Sequence, residues 1–137
     1  MKRAFCLLNH VLTEKQVAEL KERFDAEMIV YPQEEVSQTW AQIPPTPEFD
    51  AETIGSAVRW LSSARKGDIL LAQGEFGNTF MLVDWALKHG LVALHAVTRR
   101  VSLEVRVGEQ VRKQNVFEHV CFRKYAYFSE CFVNFSG

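Results

Sequence analysis

An α/β sandwich with a small, mainly parallel sheet and a C-terminal antiparallel hairpin is the architecture this sequence predicts, on three observations. The runs "DILLA" (68–72) and "LVALHAV" (91–97) are nearly continuously apolar, as parallel strands buried on both faces must be. Helices with strong start signals separate the strands. Val101, Leu103, Val105 and Val107 alternate with polar residues before Gly108-Glu109-Gln110, which predicts a three-residue hairpin loop with Val107 opposite Val111.

The elements follow in order. Arg3 to Leu8 predicts a first strand ending at Asn9-His10. Thr13-Glu14-Lys15-Gln16 is a capping box, with Leu12 placed to staple onto Val17 and Leu20 and Phe24 extending the buried stripe. "EMIVY" (27–31) is a short second strand. Residues 32–66 predict helices broken by "IPPTPEFD", whose three prolines forbid a continuous helix. Asp50 can cap the next helix, with Ile54, Ala57, Val58 and Leu61 on one face. A further helix is expected over 79–89, capped by Asn78 or Thr79, apolar nearly all round and therefore covered on more than one side. The returning hairpin strand runs to about Tyr125, and the aromatic tail 126–137 needs a surface to dock on.

Composition bounds the function. At 137 residues the chain fits one domain, 1–137. A hydrophobic content of 47% with 24% charged residues predicts a soluble globular protein, and no segment reaches the ~18 apolar residues of a membrane span. The opening "MKRAF" is read as a strand rather than a signal peptide. Cys6, Cys121 and Cys131 have neither disulfide nor zinc spacing, so a cytoplasmic location without metal is expected. The net charge of −1 argues against a binder of duplex nucleic acid. Charge is uneven: residues 1–90 carry nine Lys and Arg against thirteen Asp and Glu, and residues 91–137 carry seven against four. An anionic ligand would draw on the C-terminal third.

In open parallel sheets, ligands sit at the carboxyl ends of strands. Three polar loops are expected there: Asn9-His10, the turn Gln73-Gly74-Glu75-Phe76-Gly77-Asn78-Thr79, and Thr98-Arg99-Arg100. Glycines and a helix N-terminus in the middle loop suit a phosphate or a nucleotide edge, with Glu75 accepting from ribose hydroxyls or an adenine amino group. The turn is neither GxxxxGK[ST] nor GxGxxG, which argues against P-loop and dinucleotide sites. Among the histidines, His89 reads as a helix-end residue and His95 as core. His119, placed by alternation with Phe117 and Cys121, reads as a satisfied core or interface residue, and His10 stands at the ligand edge.

"LLNHVLTEKQ", "GDILLAQGEFGNTFMLV", "AVTRR" and "VFEHVCFRKY", in this order, resemble small stand-alone ring nucleases of type III CRISPR systems, whose fold is similar to Rossmann-like CARF domains. The resemblance covers residues 5–125. It implies a CARF-like homodimer that binds cyclic tetra-adenylate and cuts it to linear di-adenylate without metal or other cofactor, the 2′-hydroxyl attacking the neighbouring phosphate. Binding then falls to Asn9, Gln73–Thr79 and Thr98. For catalysis, Arg99 and Arg100 suit phosphate stabilisation and His10 proton transfer, and Lys113, His119 and Arg123 of the hairpin are second-line candidates for closing over the ring. The same loops would equally serve a protein that sequesters the ring uncut.

Overall fold

The computed structural model describes residues 1–132. Strands β1 (Arg3–Leu7), β2 (Met28–Val30), β3 (Ile69–Ala72), β4 (Val92–Val107) and β5 (Gln110–Lys124) form one sheet in the order β2-β1-β3-β4-β5. All neighbours are parallel except β4 and β5. The helices are α1 (Glu14–Phe24), α2 (Glu34–Ala41), α3 (Ala51–Leu61), α4 (Phe76–Lys88) and the single turn α5 (Phe128–Cys131).

Alternation in the parallel strands divides the core between two faces. Ala4 and Cys6 of β1 and Ile69 and Leu71 of β3 pack with Leu20 and Phe24 of α1. Phe5, Leu7, Leu70 and Ala72 turn the other way, onto Trp40 of α2, Ala57 and Leu61 of α3 and Leu82 and Ala86 of α4. The chain steps from β1 to β2 in one direction and from β3 to β4 in the other. Right-handed crossovers taken in opposite directions put α1 and α4 on opposite faces, and the two cores obey this. No residue of β3 is more than 3% exposed, and each Leu or Ile buried there contributes on the order of 1.5–3 kcal/mol. Burial also holds the Cys6 thiol in its protonated form, its pKa pushed up to about 12.

The expected caps form. The Thr13 hydroxyl accepts from the Gln16 amide and the Gln16 side chain accepts from the Thr13 amide, while Asp50 accepts from the Thr53 amide and hydroxyl. Helix α4 differs from expectation: it begins at Phe76, three residues early, because Glu75 caps it in place of Asn78 or Thr79.

The fourth strand differs more. Thr98-Arg99-Arg100 is not a loop. β4 runs unbroken to Val107, since the antiparallel ladder with β5 satisfies its backbone where the parallel sheet ends. Val107 faces Gln110 across a two-residue turn, Gly108-Glu109, rather than Val111 across three. Gly108 has φ 65°, the positive value that type II′ hairpin turns require at their first central position. Beyond Thr98 the two strands form a free ribbon. Leu103, Val105, Val107 and Val116 share one of its faces, yet they are exposed, so the face that alternation predicts to be dry is uncovered among the described residues.

A register shift at Val97/Thr98 inserts Val120 as an extra residue in β5. The bulge turns His119 away from Cys121, with which simple alternation grouped it, and toward Phe122, whose ring lies 4.6 Å away. His119 Nε2 meets Glu19 Oε1 of α1 at 2.8 Å, and Glu19 Oε2 accepts from the Phe122 amide at 2.7 Å and from Arg23. His119 is thus the satisfied histidine the sequence predicts, and its partners pin α1 to β5. Burial pushes the Glu19 carboxyl up, but the donors of His119, Phe122 and Arg23 outweigh it and hold the group below the usual carboxylate range.

Asp68, 3% exposed, performs the same office at the other end of the sheet. It accepts from the amides of Arg3 and Arg65 at 3.0 and 2.9 Å and from the Arg3 guanidinium at 3.3 Å. Burial raises its pKa, and these donors more than reverse the effect. A depressed carboxyl stabilises the fold above the unfolded pKa of about 3.9 and loses that contribution as pH falls through the folded value. Asp68→Asn is therefore expected to cost about 1–3 kcal/mol at pH 7 in urea unfolding, with the gap to the parent narrowing below about pH 4. A gap of constant size from pH 7 to pH 2 would contradict this assignment.

Candidate ligand-binding site

The order β2-β1-β3-β4-β5 reverses between β1 and β3, and such a reversal opens a crevice at the carboxyl ends of the two strands. Leu7 pairs with Ala72 at that edge, and the Gln73 amide donates to the Leu7 carbonyl at 3.0 Å. The turn from Gln73 to Thr79 therefore leaves the sheet at the switch point, as expected.

What holds the turn is the indole of Trp40. Its Nε1–H donates to the Gln73 carbonyl at 3.0 Å, and the ring lies so close to Gly74 that a Cβ there would stand 2.5 Å from Nε1. Gly77 likewise makes room for Phe49. Both glycines admit aromatic side chains of the protein itself. The anion position at the start of α4 is also taken. Glu75 accepts from the Gly77 amide at 2.5 Å and the Asn78 amide at 3.3 Å, so its carboxylate satisfies the donors and the helix dipole that would otherwise favour a phosphate.

The first turn of α4 then divides two cavities. On one side lies an open cleft of about 520 Å³. Its floor is Ala72, Gln73 and Gly74, one wall is Phe76, Thr79, Phe80 and Val83, and the opposite wall is His95, Thr98, Tyr125 and Tyr127. Phe76 and Phe80 are 93% and 74% exposed, so among the described residues α4 lacks the cover on its second side that its apolar composition had suggested; that side lines the cleft. On the other side, Glu75, Gly77 and Asn78 border a cavity of about 410 Å³ beneath the proline-rich loop.

Two buried polar side chains in that turn have no hydrogen-bond partner among the described residues, at Thr79 Oγ1 and at both Oδ1 and Nδ2 of Asn78. Thr79 is 8% and Asn78 1% exposed. Buried hydroxyls and carboxamides are nearly always satisfied. The residues border the two cavities, but these three atoms are themselves occluded, so they are an unmet internal cost of the turn.

His95 is not a core residue; it forms part of the cleft wall, its ring 4.8 Å from Tyr125. Burial and the neighbouring Arg123 charge lower its pKa against the opposing bond to the Ala96 backbone. The imidazole is therefore neutral at pH 7 and offers one donor and one acceptor. Composition marked neither His95 nor the Tyr125–Tyr127 segment as site residues, since a histidine inside an apolar run and an aromatic tail both read as packing. The tail does supply a wall, and its residues 133–137 lie outside the described residues.

The other expected site residues are dispersed. Asn9 and His10 border a third cavity, of about 440 Å³, between the end of β1 and α2. His10 is exposed, and its Nδ1–H donates to the Val11 carbonyl at 3.1 Å. Arg99 and Arg100 stand on the exposed ribbon; Arg99 reaches Glu118 at 3.5 Å, and neither arginine lines the cleft. Of the third predicted loop, only Thr98 does. Among the described residues, no three His, Cys, Asp or Glu side chains group closely enough to hold a metal, and no helix is long and apolar enough to cross a membrane.

Fold and site together define an α/β protein of Rossmann-like order with an aromatic-lined cleft at the carboxyl edge of its sheet. The chain belongs to the family described as "Uncharacterized protein MJ1673 family", whose model matches residues 2–123. "Uncharacterized protein MJ1673" of Methanocaldococcus jannaschii is 26% identical over 130 residues, covering 91% of this chain and 98% of its own length. No solved structure matches the chain. The family match spans the turn and the orphaned pair and stops just short of the wall at Tyr125.

Gly74→Ala tests the geometry of the turn. Its methyl must displace a buried indole, so a loss of about 1–3 kcal/mol in urea unfolding is expected, together with a changed near-UV tryptophan spectrum. Parent-like stability would mean that Trp40 does not hold the turn.

Proposed function

We propose that the protein is a CARF-like ring nuclease that binds cyclic tetra-adenylate as a homodimer and opens it without metal. The observation that carries this reading is the cleft. Aromatic rings at its rim suit stacked bases, and the neutral His95 offers hydrogen bonds to a base or ribose edge. A cyclic ligand of four equal units has the two-fold symmetry of an isologous dimer, and the uncovered apolar face of the ribbon supports a second copy.

In the proposed reaction a 2′-oxygen loses its proton and attacks the adjacent phosphorus. The bond to the 5′-oxygen breaks, leaving a 2′,3′-cyclic phosphate on one side and, once the departing oxygen takes a proton from solvent, a 5′-hydroxyl on the other. In-line alignment of these atoms is the main requirement. His10 Nε2 is the acceptor proposed for the proton, and Arg99 and Arg100 the groups proposed to stabilise the phosphorane. A second copy would have to bring these residues to the ring, because in one subunit they lie outside the cleft. That separation favours a second reading, in which the protein sequesters the ring and leaves it intact.

Radiolabelled cyclic tetra-adenylate incubated with the protein in EDTA distinguishes the two. Linear products forming faster than spontaneous hydrolysis are expected; a retained but uncut ring would establish sequestration, and neither outcome would end both readings. Replacing Arg99 and Arg100 together by Ala is expected to weaken binding and cleavage at least tenfold, on the strength of charge-assisted phosphate contacts. Unchanged affinity and rate would remove both arginines from the site.

A further inference from the structure

We infer that the free ribbon of β4 and β5 is a dimerisation arm: two copies lay their apolar ribbon faces on one another, base to tip, with Leu103 at the two-fold axis. That the chain pairs with itself belongs to the ring-nuclease reading; where and in which direction it pairs rests on the ribbon alone.

The parallel sheet leaves the ribbon unsupported. β3 accompanies β4 only to Leu94, and among the described residues none from Arg99 to Glu118 belongs to either core. What remains is a two-stranded hairpin, a unit that is marginal in water without a further layer. Alternation gives it two unlike faces. Val101, Leu103, Val105 and Val107 share one face with Val116 of β5, and Leu103 stands midway between Arg99 at the base and Val107 at the tip. Leu103 is 47% exposed. The opposite face carries Arg100, Ser102, Glu104 and Arg106. A contiguous apolar patch confined to one face marks a contact surface.

The body of the protein fixes the direction of the overlap. Helices cover both faces of the parallel sheet, each layer about 10 Å thick, whereas two packed sheets lie only about 10 Å apart. Ribbons laid base to base would drive the two bodies into each other; laid base to tip, they hold the bodies at opposite ends.

Charge agrees with that direction and selects a second copy as the occupant. Arg112 sits opposite Val105 near the tip and Glu118 opposite Arg99 at the base, both on the apolar face. With Leu103 over the partner's Leu103, Val105 meets the partner's Val101, and Arg112 comes beside the partner's Glu118. The Glu118 carboxylate is exposed and already draws Arg99 at 3.5 Å, so each end of the overlap closes on an Arg–Glu–Arg cluster. Within one chain, Arg112 and Glu118 are separated by six residues of extended strand, about 20 Å. Only two copies can bring them together.

Sedimentation equilibrium of the full chain tests the interface, with Leu103→Glu, Arg112→Glu, Glu118→Arg and the double charge reversal, and circular dichroism checks each fold. The parent is expected to be a dimer. Leu103→Glu, which sets two carboxylates face to face, is expected to raise the dimer Kd at least about 100-fold, and each single reversal about 10-fold. The double reversal is expected to return it to within about threefold of the parent, a rescue that only contact between residues 112 and 118 produces. If Leu103→Glu loses the fold, the reversals at exposed positions decide alone. A monomeric parent overturns the interface; if it cosediments with phosphatidylglycerol vesicles and Leu103→Glu does not, the face serves a lipid surface instead. A dimer that withstands Leu103→Glu, or a double reversal no better than the singles, also overturns it. A dimer split by Leu103→Glu and rescued by the double reversal, but unable to bind cyclic tetra-adenylate, upholds the interface and overturns the ring reading. A ring-binding dimer indifferent to Leu103 and Arg112 does the reverse.

Discussion

One hydrogen bond governs where this molecule can act: the indole N–H of Trp40 donating to the carbonyl of Gln73. β3 is buried on both faces and must deliver the chain to α4 at the crowded edge of the sheet, where a bare carbonyl would be costly. Trp40, itself 2% exposed, satisfies that carbonyl and fills the space that Gly74 leaves. The direction of the turn follows, and with it the position of the first residues of α4. Phe76, Thr79 and Phe80 come to face one cavity while Gly77 and Asn78 face the other.

The electrostatics of that turn run against a generic phosphate site. A glycine-bearing turn leading from a strand into a helix ordinarily invites an anion, yet Glu75 supplies the anion internally. Capping completes the helix, and the groups left along the cleft are neutral: the His95 imidazole and the aromatic rims. Those groups suit bases and sugars, whereas the positive charge that phosphates require sits on the ribbon, at Arg99, Arg100, Arg112 and Lys113. The charge asymmetry along the sequence is thus expressed in space as an arm that carries many of the cations of the C-terminal third.

Much of this was legible from the residues, and the failures have specific causes. Capping boxes are local, so Thr13 and Asp50 announced their helices correctly. Strands buried on both faces read as apolar runs, so β1 and β3 were plain. Thr98-Arg99-Arg100 resembled a loop because polarity usually marks the end of a parallel strand; here an antiparallel partner lets a wet segment continue as β4. The bulge at Val120 leaves no mark in composition, and it alone decides which face His119 joins. Glu75 was weighed as a ligand acceptor because a carboxylate and a cap look alike until the helix start is known. The cleft's far wall was hidden for another reason. It forms only when Tyr125–Tyr127 returns alongside α4, a long-range meeting that no local pattern encodes.

The central claim, that the aromatic cleft beside α4 receives a nucleotide ring, is tested most directly by mapping amide chemical shifts of the 15N-labelled protein as cyclic tetra-adenylate is added. The account predicts changes concentrated at Gln73, Thr79, Phe80, His95, Thr98 and Tyr127. An unaltered spectrum, or changes confined to the ribbon between residues 101 and 116, would contradict it.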